Sequence, residues 1–218
     1  MNMTSNKETA MSDQNMLVRY KASDRINHWI VALLFMLAAL SGLAYFHPSL
    51  YFLSGVLGGG QLARILHPFV GVAMFVLFVI LYFKFWHHNL LSKNDRQWLK
   101  QIGDVLADRE DRLPEVGRYN GGQKLLFWVM TITMLLLVVT GILFWRPYFA
   151  GNFHIDTVRW AALIHAVAAW VLIVGIIVHI YAAMWVKGTI KGMWTGLVSK
   201  AWARKHHPGW YREEMGGK

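Results

Sequence analysis

The chain has 218 residues, of which 56% are hydrophobic and only 16% charged, too little charge for an ordinary water-soluble domain of this length. It contains no cysteine, which excludes disulfides, protein-held iron–sulfur clusters and thioether-attached haem. The net charge of +10 would suit nucleic acid, but the basic residues flank apolar runs and read as topology signals, so no nucleic-acid partner is expected.

Residues 1–18 are polar with one early basic residue, Lys7. They predict a disordered tail without a cleavable signal sequence, within which Met11 is an alternative start. A four-span domain is expected over 19–200. HWIVALLFMLAALSGLAYF (28–46) is the first charge-free run long enough to cross a bilayer, and ILHPFVGVAMFVLFVILYF (65–83) is the second. In the loop that follows, WLKQIGDVL puts Trp98, Leu99, Ile102, Val105 and Leu106 on one apolar face, predicting a short helix on the membrane surface or a neighbouring element. LLFWVMTITMLLLVVTGILFW (125–145) is the third span and WAALIHAVAAWVLIVGIIVHIYAAMWV (160–186) the fourth, long enough to tilt. Residues 201–218 form a basic tail, and no internal repeat is apparent. The fold class is therefore an all-α membrane protein, a four-transmembrane-helix bundle among lipids. Lys and Arg outside the spans number four before the first, eight between the second and third and seven after the fourth, against Arg64, Arg146 and Arg159 elsewhere. That bias puts both termini and the long middle loop in the cytoplasm.

Most of the ten histidines have ordinary explanations. His206 and His207 belong to the hydrated tail, His154 to an external loop, and His47, His87 and His88 to span ends. His28, His67, His165 and His179 are better placed. Fourteen residues separate His165 from His179, nearly four whole turns, so both share one face roughly 21 Å apart. The topology puts His67 and His165 near the outer edge, His28 and His179 near the inner one. Facing imidazoles at two depths suit the axial positions of two b-type haems. Zinc would want four clustered ligands, and a proton relay would normally include intramembrane Asp or Glu, which these spans lack. From the residues alone, His47 competes with His67, and His88 with His28. Gly71 and Gly175 fall one turn from His67 and His179, where a missing side chain admits a porphyrin, or ordinary helix packing. Gly42 lies nearly on the stripe of His28. Arg25, Arg64 and Arg159 are candidates for pairing with haem propionates.

The motifs DRINHW, ARILHPF, GRYNGGQK, LFWRPYF, LIHAVAAWVLIVGIIVHIYAAMWVKGTIKGM and KHHPGWYRE together resemble the gamma subunit of respiratory, membrane-bound formate dehydrogenase. That is a four-span, two-haem cytochrome b of the bacterial inner membrane. The resemblance runs from about residue 17 to 214. It implies His67 and His165 as ligands of the outer haem iron and His28 and His179 as ligands of the inner one, deciding against His47 and His88. It also implies partners: a molybdenum or tungsten alpha subunit that oxidises formate, an iron–sulfur beta subunit that feeds the outer haem, and a trimer of heterotrimers. This chain then transfers electrons and reduces quinone without oxidising formate, and no catalytic residue is assigned in it. Related cytochromes b serve nickel–iron hydrogenases and thiosulfate reductase, and a histidine-based proton channel is the alternative of a different class.

The segment RYNGGQK (118–124) leads into span three at the expected height of His179. Asn120 and Gln123 offer amide donors and acceptors, and Gly121 and Gly122 allow close approach to a flat ring. By itself the segment reads as a turn at a helix start. The resemblance implies a binding site for menaquinone or ubiquinone formed by Asn120, Gly122, Gln123 and His179, whose second ring nitrogen can donate to a quinone carbonyl.

Overall fold

The computed structural model describes residues 15–107, 109 and 112–216; the tail up to residue 14, with Met11, lies outside them. Among the described residues four helices are long and apolar enough to cross a membrane: α1 (Ala22–Phe46), α2 (Gly60–Phe85, continued by a 3-10 turn to Asn89), α5 (Gly121–Leu143) and α6 (Ile155–Trp185). Between the second and third lie α3 (Lys93–Lys100) and α4 (Ile102–Leu106). After the fourth come α7 (Thr189–Thr195), α8 (Lys200–His206) and α9 (Pro208–Gly216). Two short strands are also present, β1 (Met16–Val18) and β2 (Leu197–Ser199).

The spanning helices begin several residues before the apolar runs expected from sequence. Asp24 and Asp156 occupy first turns, where a carboxylate favours the positive end of the helix dipole, so the helix extends beyond its apolar part. Pro48 ends α1 by forcing His47 into an extended conformation (φ −146°, ψ 138°).

The single domain expected over 19–200 is organised as two compact units. One comprises Ile26–Phe85 and Trp128–Ile180, hence most of the four long helices. Its core is Met74, Met134 and Leu172, packed by Leu34, Phe35, Phe78 and Leu137. Leu172 is seven residues from both His165 and His179, so an apolar layer lies midway between the two histidine levels of α6. The outward faces are apolar as well: Leu33, Val76, Leu135 and Val174 are all more than half exposed. Water would not tolerate so much apolar surface, and lipid accounts for it.

The other unit comprises the described residues up to Arg25, Trp86–Phe127 and those from Tyr181 onward. Here two expectations are corrected. Residues 16–18 are not part of a disordered tail: β1 pairs antiparallel with β2, Leu17 opposite Val198. The segment after residue 200 is not merely a solvated basic tail, because α8 and α9 bury Val198, Ala203 and Trp210 together. Arg19 stacks on Trp210 at 4.3 Å and on Tyr119 at 5.2 Å. Arg19 and Arg118 each donate to the other's backbone carbonyl. Likewise His207 is buried, its Nδ1 3.0 Å from the Gly117 carbonyl. Burial, reinforced by the Arg19 guanidinium, pulls its imidazole down to about 3, so it is neutral at pH 7. Gly196 (φ 85°) closes α7. A side chain there would meet both a left-handed backbone and the Tyr20 carbonyl, 2.6 Å from its Cβ.

The expected helix over WLKQIGDVL is two helices broken at Gln101. Ser92 starts α3 with a reciprocal cap to Asp95. Trp98 is buried while Ile102 and Leu106 are exposed, because the break turns their face away from that of Trp98.

Candidate functional site

All four singled-out histidines lie in the unit made of the long helices, and they meet in two pairs. The rings of His67 on α2 and His165 on α6 have centroids 6.4 Å apart. Those of His28 on α1 and His179 on α6 are 6.1 Å apart. His67 Nδ1 is 2.9 Å from the hydroxyl of Ser41 on α1, and His165 Nδ1 is 3.1 Å from that of Thr140 on α5. Phe144 meets His165 edge-on at 5.1 Å. The other pair is held differently. His28 packs edge-on to Trp29 at 5.3 Å, and its Nδ1 is buried without a hydrogen-bond partner.

The competing histidines do other work. His47 caps the 3-10 helix Pro48–Leu57, its Nδ1 accepting from the Ser49 amide at 3.2 Å. His88 faces Tyr119, with ring centroids 6.5 Å apart. The glycines divide. A Cβ added at Gly42 would stand 3.3 Å from the His67 ring, so Gly42 serves the pair opposite to the one its stripe suggested. Gly141, which sequence reading missed, stands in the same relation to His165 at 3.4 Å. Gly71 has open space beside it, and Gly175 lines an open apolar groove of ≈ 360 Å³ with Val129, Trp170 and Val174. Of the arginines, Arg25 donates to the Trp194 carbonyl, and Arg159 forms an exposed pair with Asp156 at 3.6 Å.

The segment RYNGGQK belongs to the other unit. Asn120 Oδ1 accepts from the Gln123 amide at 2.9 Å, and Gln123 Oε1 accepts from the Asn120 amide at 3.0 Å. This is a reciprocal N-terminal cap of α5. It engages both side-chain oxygens and leaves the two NH₂ groups as donors. The flat ring that approaches the glycines is the indole of Trp98, which a Cβ at Gly122 would meet at 3.0 Å. Beside them, Lys124 Nζ donates to Asp95 Oδ2 at 2.7 Å and to the Leu90 carbonyl at 3.1 Å.

The family model described as prokaryotic cytochrome b561 matches residues 19–196. The chain belongs to this family. Curated relatives align with nearly the whole chain. The Escherichia coli (strain K12) protein named formate dehydrogenase, cytochrome b556(fdo) subunit, is 53% identical over 203 residues, 93% of this chain and 95% of the relative. The nitrate-inducible cytochrome b556(Fdn) subunit of the same organism is 49% identical, covering 93% and 94%. The formate dehydrogenase cytochrome b556 subunit of Haemophilus influenzae is 43% identical, covering 94% and 86%. These relatives agree with the resemblance read from the motifs.

A cytochrome b561 implies haem b, and the residues present fit one. One metal between two opposed imidazoles, with metal–nitrogen bonds of about 2 Å and each ring centre about 1 Å behind its nitrogen, sets the centroids about 6 Å apart. Both histidine pairs show that spacing. Among the described residues no three His, Asp or Glu side chains converge on a metal position. A metal at either level would thus take most of its ligands from a group such as a porphyrin, which supplies four. The partnerless Nδ1 of His28 is a buried polar atom of the kind that otherwise costs stability.

Proposed function

We propose that this chain is the di-haem cytochrome b subunit of a formate dehydrogenase in the bacterial inner membrane, with both termini cytoplasmic. In this reading an iron–sulfur beta subunit delivers electrons at the outer side, a molybdenum or tungsten alpha subunit supplies them from formate, and menaquinone or ubiquinone accepts them at the inner side. The observation that carries it is the meeting of α6 with two imidazoles at two heights, at the spacing of opposed axial ligands. The names of the relatives support the formate dehydrogenase assignment.

His67 and His165 would hold the outer haem, His28 and His179 the inner. Bound there, haem b supplies one-electron redox chemistry, and the chain supplies ligands, polarity and geometry. The layer of Met74, Met134 and Leu172 keeps the space between the levels apolar. Among the described residues His179 has no hydrogen-bond partner, so the ring nitrogen not on iron is available to donate to a quinone carbonyl. Asn120 and Gln123, with their oxygens engaged in the cap, have only N–H groups left to offer, which suits an acceptor such as a quinone carbonyl. A quinone taking two electrons takes two protons from cytoplasmic water. Negative charge moving inward across the membrane does about 2.3 kcal/mol of work per charge per 100 mV.

The direct test is the ratio of haem to polypeptide in the purified complex. Two b-type haems per chain are expected, and a colourless chain would remove the cytochrome reading in favour of a proton channel. The quinone assignment has its own test. Asn120→Asp keeps an oxygen for the cap and loses the donor, so it should leave both haem spectra unchanged and slow reoxidation by quinone about tenfold, the worth of one hydrogen bond. Unchanged kinetics would return this segment to a plain helix cap.

A further inference from the structure

Ser41 and Thr140 are buried hydroxyls in the middle of apolar helices. Each is followed by glycine and a similar run, Ser-Gly-Leu-Ala-Tyr-Phe at 41–46 and Thr-Gly-Ile-Leu-Phe-Trp at 140–145. Each also precedes a histidine of the same pair by almost the same length of chain, His67 on α2 and His165 on α6. The two helical hairpins, α1–α2 and α5–α6, therefore carry one device twice.

The chemistry of that device is constrained. The Ser41 hydroxyl donates to the Leu37 carbonyl at 2.6 Å, and the Thr140 hydroxyl donates to the Leu136 carbonyl at 2.5 Å. A hydroxyl has one proton. With it engaged by the carbonyl four residues back, the oxygen can only accept from the histidine nitrogen beside it. Both Nδ1 atoms must then carry the proton, leaving the Nε2 lone pair as the metal donor. The following glycine leaves room for the Cε1 edge of the ring against the helix, where a Cβ would crowd His67 at Gly42 (3.3 Å) and come into contact with His165 at Gly141 (3.4 Å), so the seat limits ring rotation as well as tautomer.

We infer that Ser41–Gly42 and Thr140–Gly141 are paired seats that position His67 and His165 as Nδ1–H imidazoles presenting Nε2 to haem iron. The His28–His179 pair lacks them, since His28 Nδ1 is buried without a partner and no described hydroxyl holds His179. An acceptor on the distal N–H of a metal-bound imidazole raises its basicity. A more basic axial ligand favours ferric over ferrous iron and lowers the reduction potential. Two seats at one level and none at the other bias electrons to move from the His67–His165 site to the His28–His179 site.

This inference rests on the haem-binding reading above, and the experiment separates the two. Potentiometric titration and low-temperature electron paramagnetic resonance are to be run on the whole complex carrying Ser41→Ala, Thr140→Val (which keeps the side-chain volume) or both. A His28→Ala complex identifies the haem of the other pair by its loss. Two haems should remain in each seat variant. The potential of the His67–His165 haem should shift positive in each single variant and further in the double, its g values should change, and the second haem should stay put. Ser41→Thr and Thr140→Ser should restore the parent potential. Should Ser41→Ala fail to assemble, Thr140→Val and Thr140→Ser suffice. A hydroxyl-free variant with unmoved potentials, or a shift confined to the haem lost in His28→Ala, overturns the seats while leaving the cytochrome intact. Absence of haem from the parent complex overturns the cytochrome reading itself.

Discussion

A complex carrying His165→Ala should contain one haem per chain instead of two and should transfer electrons from formate to quinone more than about 100-fold more slowly. The bound comes from comparison, since losing even a partner that only orients a metal ligand costs about 10- to 100-fold, and this variant removes a proposed ligand itself. His67→Ala should do the same, because in the proposed site neither ring serves without the other opposite it. His28→Ala has a different signature. It should remove the haem at the other level while leaving the His67–His165 haem reducible by formate, so that electrons enter the chain and stop. Reduced-minus-oxidised optical spectra, taken after formate and again after quinone addition, separate these cases. Two normal haems in His165→Ala would refute the pairing, however well the ring spacing of 6.4 Å suits it.

The histidine pairs were legible in the sequence because depth along a membrane-spanning helix is linear in residue number. Once basic residues orient the spans, a match in height is arithmetic. Azimuth is less accessible. It separates His67 from His47, a choice that the resemblance implies and the ring contact of His67 with His165 matches. The proposed seats are not legible in the sequence for a related reason. A serine or threonine within an apolar helix ordinarily returns its hydroxyl to the preceding turn, and only the neighbouring helix shows that a histidine uses the same oxygen. Distance along the chain hid the rest. The pairing of Leu17 with Val198 and the hydrogen bond from His207 to Gly117 each tie a segment that composition describes as a tail to a residue far away in the chain. The break at Gln101 was hidden because helical periodicity continues across it. What orients the two short helices is Trp98 seated against Gly121 and Gly122.

The ion pair of Asp95 and Lys124 should be the most costly contact to break outside the histidine levels. Both side chains are nearly buried, at 8% and 11% exposure. Removing one partner of such a pair leaves the other desolvated and uncompensated, a loss of about 3–5 kcal/mol. Lys124→Met should therefore lower the thermal midpoint of the detergent-solubilised protein, followed by circular dichroism. Adding Asp95→Asn should recover part of that loss, because the amide oxygen can still accept from the Ser92 amide that Asp95 now caps at 2.7 Å. Acid adds a sharper criterion. Burial alone would raise the Asp95 carboxyl, but hydrogen bonds from Lys124 and Ser92 hold it below the usual 3.8. Its contribution is thus fully present above 3.8 and is lost as pH falls towards the lowered value. Without Lys124 the carboxyl loses both the hydrogen bond and the charge that lower it, while burial still raises it, so Lys124→Met should lose less stability than the parent as pH falls. Parallel pH curves for the two proteins would show that the pair is not what holds Asp95 ionised.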